Sequence, residues 1–270
     1  RRPEVHPVDF HHGRRAVAIE VFDQAGGIGQ PPARFRDELF GKLRRLGEAG
    51  VRRAAAPRTP APVPAAPPRP PAAAKAFTRP QITLIGSSTG GPPALRTLLA
   101  GMGPAWPTPI LIVQHMPATF TKILAEHLTK GCGLPVSEAV EGQSFEPGQA
   151  YVAPGDWHLS VRRGTRPSAH LDQDPAENWC RPAVDKLFRS AAATYGAGCL
   201  AIILTGMGHD GRDGARDLAA KGAAILAQDE ASSVVWGMPG AVVTAGLADE
   251  IRPLADLAES AWAIVRGGRP

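Results

Sequence analysis

The first candidate for chemistry is the serine-containing turn Gly86-Ser87-Ser88-Thr89-Gly90. It matches the G-x-S-x-G nucleophile elbow, in which glycines leave room for an exposed serine at a strand-to-helix turn. A phosphate-binding turn is a second interpretation, although Ser88 stands where the dinucleotide fingerprint needs a glycine and no lysine follows in Walker fashion. A structural turn, with Ser88 capping the next helix, is the third. The motif alone leaves all three open.

A histidine and an aspartate follow two other predicted strands. His115 comes just after the apolar run 110–113, and Asp210 lies in the glycine-rich segment after 200–204. Because strand ends meet at one rim of an open α/β sheet, we expect Ser88, His115 and Asp210 to converge there. Their types are those of a nucleophile, its general base and the carboxylate that orients the base. The chain order Ser-His-Asp differs from that of the α/β-hydrolases, so the elbow does not predict that fold.

Each candidate also has a structural interpretation. A histidine at a strand end is often a hydrogen-bonded structural residue, and Asp210 can cap the helix that follows it. His209 and His158 compete for the role of the base. We rank His115 first because its strand is expected to neighbour that of Ser88.

Alternating strand and helix signals predict the elements that position these residues. The predicted strands are 82–85, 110–113, 136–140, 150–152, 157–161, 168–171, 200–204 and 223–227, and the predicted helices are 92–102, 119–130, 182–193, 211–221, 239–246 and 254–265. This order predicts an α/β fold: a doubly wound, mainly parallel sheet flanked by helices, with a β-hairpin elaboration in the middle.

Composition and charge narrow the class of protein. The chain has 270 residues, 43% of them hydrophobic, which suits a sizeable core, and no apolar run approaches a membrane span. The net charge of +5 divides into +8 for residues 1–80 and −3 for the remainder, so nucleic-acid binding is not predicted. Three cysteines without C-x-x-C spacing predict neither a disulfide framework nor a zinc site. With no signal-peptide pattern, a cytoplasmic location is the default expectation.

The sequence also predicts a division into segments. Apolar residues recur at helical spacing over residues 32–48, which predicts an amphipathic helix. Residues 51–80 consist almost entirely of alanine, proline and arginine, which is typical of an extended linker. We therefore predict a linker at 51–80 and a folded domain at 81–270.

Six ordered motifs in about residues 81–266 resemble the catalytic domain of the protein-glutamate methylesterases of bacterial chemotaxis. The motifs are Gly86-Ser87-Ser88-Thr89-Gly90-Gly91, Gln114-His115-Met116-Pro117, Ala153-Pro154-Gly155-Asp156, Arg181-Pro182-Ala183-Val184-Asp185, Leu204-Thr205-Gly206-Met207-Gly208-His209-Asp210-Gly211 and Gly237-Met238-Pro239. No single motif is sufficient, whereas the ordered set is highly specific.

The resemblance implies a role for each candidate residue. Ser88 is then the nucleophile, His115 the general base and Asp210 its orienting carboxylate, with the backbone amide of Met207 in the oxyanion hole. The amide of Thr89, next to the nucleophile, is expected to join that hole.

The resemblance also implies an activity and its partners. The reaction is hydrolysis of glutamate γ-methyl esters on the cytoplasmic helices of methylated chemoreceptors, with release of methanol; deamidation of receptor glutamines is a second activity. Neither a metal nor a cofactor is required. Arg181 is a candidate substrate-orienting residue, and a surface arginine at a helix start is an equal alternative. A chemotaxis histidine kinase is a partner if a full receiver domain exists, and no membrane insertion is expected.

Two other functional classes stay open. One is a non-catalytic nucleotide- or anion-binding module that uses the turn at Gly86. The other is an interaction protein whose triad is mispositioned.

The chain departs from the family pattern in two places. The family usually carries a full receiver domain, but only about 50 residues precede the predicted linker, so residues 1–50 resemble a truncated or degenerate receiver remnant. We hypothesise that this form is active without phosphorylation; equal receptor demethylation with and without a phosphodonor would support that. Cys180 stands where a histidine or another polar residue is expected.

Overall fold

A sheet of parallel strands forms the middle layer of the protein. The computed structural model describes residues 77–267. The strands are β1 (Ile82–Ser87), β2 (Ile110–Gln114), β3 (Val136–Glu138), β4 (Ala150–Val152), β5 (His158–Arg162), β6 (Ser168–Asp172), β7 (Cys199–Ile203), β8 (Ala224–Gln228) and β9 (Glu250–Arg252). Seven of them form the sheet in the order β3-β4-β2-β1-β7-β8-β9, and every pairing between neighbours is parallel. β5 and β6 pair antiparallel as a separate hairpin.

Helices cover both faces of this sheet. They are α1 (Gly91–Met102), α2 (Ala118–Cys132), α3 (Val184–Tyr195), α4 (Arg212–Ala220), α5 (Met238–Thr244) and α6 (Leu257–Val265), with a 3₁₀ turn at Gly196–Gly198. The apolar sides of α1, α2 and α6 form one core with the sheet. Those of α3, α4 and α5 form the second core with its other face, together with the hairpin.

β1 lies in the interior of the sheet and is buried on both faces. The side chain of Leu84 belongs to one core and that of Ile85 to the other. A strand that is covered by helices on both faces has a nearly continuous run of apolar residues. For this reason β1 could be predicted from the sequence.

The predicted fold class is confirmed, including the hairpin in the middle of the chain. Most bounds of the predicted elements are shifted by one to three residues, as for strand 136–140, which ends at Glu138, and helix 254–265, which begins at Leu257. Two of the differences have a clear physical reason. β1 continues to Ser87, because the buried Ser87 hydroxyl donates a hydrogen bond of 2.7 Å to Gln114 Oε1 and so tolerates the interior of the sheet. β9 was not predicted, since its three residues are partly exposed and carry no apolar run.

Three predictions for the N-terminal part lie outside the described residues: the receiver remnant at 1–50, the helix at 32–48 and most of the linker at 51–80. The predicted start of the folded domain at residue 81 stays a prediction. Within residues 77–267, no helix combines the length and the apolar character needed to cross a bilayer.

Candidate active site

Ser88 lies directly after β1, in the turn that leads into α1. Its backbone N–H donates to Thr205 O at 3.0 Å, and its carbonyl accepts from Gln114 Nε2 at 2.9 Å. The serine is therefore held between the segments that follow β2 and β7. Its hydroxyl makes no hydrogen bond within residues 77–267, which leaves Oγ available to a substrate.

The start of α1 offers few donors to a phosphate group. Its first residue, Gly91, donates its N–H to Ser88 O at 2.8 Å. The next two residues, Pro92 and Pro93, have no N–H at all. Because phosphate binding at a helix N-terminus depends on free amides there, the geometry favours the nucleophile elbow over the phosphate-binding turn.

His115 and Asp210 form a buried hydrogen-bonded pair. His115 Nε2 lies 2.8 Å from Asp210 Oδ2, and the two side chains are 12% and 3% exposed. His115 follows β2, and its own N–H donates to Ser87 O at 3.0 Å, which places it beside the serine turn. β1 and β2 are neighbours in the sheet, as the ranking of His115 assumed.

Within the described part of the chain, four donors besides the imidazole hold Asp210. They are the amides of Val184, Asp185 and Gly211 and the side-chain Nδ2 of Asn178. Burial opposes the charge, but the hydrogen bonds from His115 and from Val184 lower the pKa of the Asp210 carboxyl. A charged Asp210 is therefore available to orient the imidazole.

The second nitrogen of His115 faces a thiol. Nδ1 lies 3.6 Å from Cys180 Sγ. Burial lowers the pKa of His115, but the hydrogen bonds to Asp210 and Cys180 outweigh it and raise the pKa to about 9. An imidazole in this setting holds its proton firmly, so the unprotonated form needed by a general base is fully populated only at alkaline pH.

The two candidate oxyanion donors lie on neighbouring loops. Neither the Thr89 amide nor the Met207 amide donates a hydrogen bond within the described part of the chain. Thr205 Oγ1 donates to Thr89 O at 2.9 Å, which ties the serine turn to the loop of Met207. The Met207 side chain itself is 73% exposed. Both amides are thus free, and one hydroxyl connects their loops.

The two competing histidines have other surroundings. His158 is fully buried; its Nδ1 accepts from the Ala183 amide at 3.2 Å, and its Nε2 lies 3.3 Å from Pro175 O. These contacts make it a structural residue that holds the segment before α3. His209 is exposed and its side chain makes no hydrogen bond within residues 77–267.

Arg181 lines the cleft next to His115, but its guanidinium is engaged within the protein. Nη2 lies 2.6 Å from Asp156 Oδ1, and Nη1 donates to the carbonyls of Gln173 and Asp174 at 3.1 and 3.2 Å. The arginine thereby fastens the segment before α3 to the loop after β4. The cleft has a volume of about 510 Å³. It is lined by His115, Met116, Pro117, Ala118, Asp156, Trp179, Cys180, Arg181 and Pro182.

Three residues of the site were missed by reasoning from the sequence. Gln114 joins the serine turn to the His115 carbonyl through Nε2. Asn178 donates to both Asp210 and Asp185, and Asp185 in turn accepts from the Gly214 amide at 2.6 Å. Gln114 and Asp185 lie inside two of the six motifs and could have been singled out there, whereas no signal marks Asn178.

One group of side chains in the site has the ligand types of a metal centre. The ligand atoms of His115, Cys180 and Asp210 all lie within 4.8 Å of one another.

Comparison with known proteins gives concordant matches. The family described as CheB methylesterase matches residues 83–261. The catalytic domain of the CheB methylesterase of Thermotoga maritima has a similar structure, with a TM-score of 0.67 and 39% identity over 70% of this chain and 99% of that domain.

Two curated relatives carry the name protein-glutamate methylesterase/protein-glutamine glutaminase. The one from Maricaulis maris is 56% identical over 70% of this chain and 48% of its own length. A second, numbered 2, from Caulobacter vibrioides is 50% identical over 82% of this chain and 62% of its own length. The chain thus spans roughly half to three fifths of these relatives.

Proposed function

Because the chain belongs to the CheB methylesterase family, we propose that it hydrolyses glutamate γ-methyl esters on chemoreceptors and releases methanol. The observation that carries the proposal is the buried His115–Asp210 pair beside the clamped turn of Ser88, whose hydroxyl has no hydrogen-bond partner within residues 77–267. A nucleophile, a base and an orienting carboxylate on adjacent strand ends are the parts that acyl transfer needs.

The proposed reaction begins at the serine hydroxyl. Ser88 Oγ attacks the ester carbonyl carbon while His115 accepts the hydroxyl proton. Since Asp210 holds Nε2, the nitrogen that exchanges protons is Nδ1. The free amides of Thr89 and Met207 are assigned to the oxyanion, where one donor is typically worth about 3–4 kcal/mol.

The second half of the reaction frees the carboxylate. His115 passes its proton to the departing methoxide, which leaves as methanol, and a new ester bond remains between Ser88 and the glutamyl group. Water then attacks that bond, with the same imidazole as base. When ammonia leaves in place of methanol, the same steps deamidate a glutamine, and we propose this as a second activity.

The partners, the location and the role of Arg181 are part of the same proposal. The proposed partners are the cytoplasmic helices of methylated chemoreceptors, and the site of action is accordingly the cytoplasm. A chemotaxis histidine kinase is a partner only where a full receiver domain exists. For Arg181 we propose a role in orienting the substrate through the cleft segment that it fastens, since its own donors are already engaged.

The test is methanol release from methylated chemoreceptor membranes, comparing the chain with Ser88→Ala. We expect release by the unchanged chain and a loss of about 10³-fold or more in the variant, because the nucleophile is removed. Ser137→Ala is the matched control, since Ser137 is exposed on the edge strand β3 and its side chain makes no hydrogen bond within residues 77–267. Release that is unaffected by Ser88→Ala, or no release by a folded chain, would contradict the proposal.

A further inference from the structure

The thiol of Cys180 and the imidazole of His115 face each other at a distance that suits a metal ion. Sγ lies 3.6 Å from Nδ1. A tetrahedral zinc ion with bonds of about 2.3 Å to sulfur and about 2.1 Å to nitrogen separates those two ligand atoms by about 3.6 Å. The observed separation of Sγ and Nδ1 therefore equals that of two ligand atoms on one zinc ion.

The other side of the imidazole is already arranged as in metal sites. A metal-bound histidine usually donates its second ring N–H to a carboxylate, which fixes the ring and its tautomer. Here Nε2 lies 2.8 Å from Asp210 Oδ2, and Asp210 is itself held by the Val184 and Asp185 amides. Once the imidazole has lost its second proton and keeps the one on Nε2, the lone pair of Nδ1 points to the side of Cys180.

The pair is accessible from solvent. Both residues line the cleft of about 510 Å³, so water can fill the remaining coordination positions. The positive charge of Arg181 in the same cleft is balanced by Asp156 at 2.6 Å and does not repel a cation unopposed. Cys132 and Cys199 are buried elsewhere in the two cores.

We propose that Cys180 and His115 bind Zn²⁺, or another borderline-soft divalent cation, and that this binding inhibits the enzyme. As the metal binds, the Cys180 thiol and the protonated His115 imidazole each give up one proton to solvent, and the metal bonds to the thiolate and to the Nδ1 lone pair that this exposes. That lone pair is the one the proposed base needs, so the bound form is inactive. Metal binding stands independently of the proposed function, whereas the inhibition rests on it.

Binding is tested with Co²⁺, whose bond to a thiolate gives a charge-transfer band in the near ultraviolet. We expect one equivalent of Co²⁺ to produce the band in the full chain and Zn²⁺ to remove it by competition. Cys180→Ala should abolish the band and weaken Zn²⁺ binding at least about tenfold, or about 1.4 kcal/mol. Cys132→Ala, the matched control, should keep it. Absence of the band from the unchanged chain, or its persistence in Cys180→Ala, would overturn the proposal.

Inhibition is tested by methanol release at increasing Zn²⁺, each variant being compared with its own metal-free rate. We expect at least about tenfold inhibition of the unchanged chain at a saturating concentration, reversal by a chelator, and little inhibition of Cys180→Ala. Asp210→Asn should bind Zn²⁺ about 10–100-fold more weakly, the usual effect of losing such a carboxylate. Saturating Zn²⁺ without inhibition would refute the inhibitory role. No release even without metal would refute the esterase while the Co²⁺ spectrum still decides the binding.

Discussion

Two carboxylates lie side by side beneath His115, and their surroundings give them different pKa values. Asn178 Nδ2 bridges them, at 2.7 Å from Asp185 Oδ2 and 2.9 Å from Asp210 Oδ1. Burial raises the pKa of Asp185 to about 6, and the charge of Asp210 adds to the rise. Asp210 instead keeps a low pKa through its hydrogen bonds. Of the two, Asp210 carries the charge that faces the imidazole.

The raised pKa of Asp185 predicts a pH-dependent cost to stability. A carboxyl that ionises near pH 4 when unfolded but near pH 6 when folded makes the folded state less favourable as pH rises between those values. Asp185→Asn removes this titration. We therefore expect the unfolding free energy of the variant to rise relative to the unchanged chain by about 1–3 kcal/mol from pH 4 to pH 7.

Urea denaturation at several pH values measures this difference. Asp213→Asn is a useful control, because hydrogen bonds from Arg212 and Arg216 lower the pKa of Asp213 to about 2. Its titration falls below pH 4, so its stability difference should stay flat between pH 4 and pH 7. A flat difference for Asp185→Asn as well would mean that the carboxyl is already ionised in the folded protein at pH 4.

The three triad candidates of the site could be predicted because the sequence marks the ends of their strands. Ser88, His115 and Asp210 each follow an apolar run, so the rule that strand ends converge was sufficient to group them. Asn178 lies in an irregular segment and has a left-handed backbone with φ of 52°. Such a segment has no hydrophobic periodicity from which its structure could be predicted. The contact of Asn178 with Asp210 is formed only in the folded protein.

Among the elements, the loop after β7 approaches the serine turn closely. A Cβ atom at Gly206 would lie 2.3 Å from Met238 Sδ and 2.8 Å from Ser88 Cβ. The Gly206 carbonyl also accepts from the amides of Gly237 and Met238 at 3.0 and 2.9 Å. The absence of a side chain at this position is what lets the two loops meet.

We expect Gly206→Ala to displace Ser88 and to lower kcat by about 10²-fold, because misplacing a reacting group by about 1 Å has effects of that size. The measurement is methanol release, with thermal unfolding followed in parallel. Gly164→Ala is the matched control, since a Cβ there meets only the Arg166 carbonyl, at an ordinary 3.5 Å. If Gly206→Ala keeps full activity, the loop does not set the position of Ser88.

Strands with a run of apolar residues could be predicted from the sequence. A strand held mainly by main-chain hydrogen bonds could not. β7 is apolar throughout, and β2 is apolar up to its last residue, Gln114, because helices cover both faces of the sheet. β9 pairs with β8 through main-chain hydrogen bonds and buries little. Almost any residue type can form main-chain hydrogen bonds, so they produce no recognisable sequence pattern. Such a strand is therefore visible only in the structure.

On the scale of the whole molecule, contacts of the folded region reach back beyond residue 81. Arg79 Nε donates to Val265 O in α6 at 2.9 Å. Phe77 packs against the core formed with α1, α2 and α6. These two residues link the start of the described region to its last helix.

We therefore expect a chain that starts at residue 77 to be more stable than one that starts at residue 81. The loss of the Arg79 hydrogen bond and of the Phe77 packing should lower the melting temperature by roughly 2–8 °C. Circular dichroism melts of the two forms, with the unchanged chain as reference, measure this. Equal melting temperatures would place the boundary at residue 81, as predicted from the sequence.

The placement of β1 between β2 and β7 also determines how long one edge of β1 stays unpaired during synthesis. β2 follows β1 closely in the chain, but the register pairs Ile82 with Cys199, which is translated roughly 120 residues later. At about 5–20 residues per second, the second edge of β1 waits roughly 6–24 s for its partner on the ribosome. During that interval an apolar strand has an unpaired edge, the condition under which nascent chains aggregate or bind chaperones. The pairing with β7 buries β1, the strand before the serine turn, in the folded protein. During synthesis, the nascent chain therefore depends on shielding of the free edge of β1 until β7 emerges.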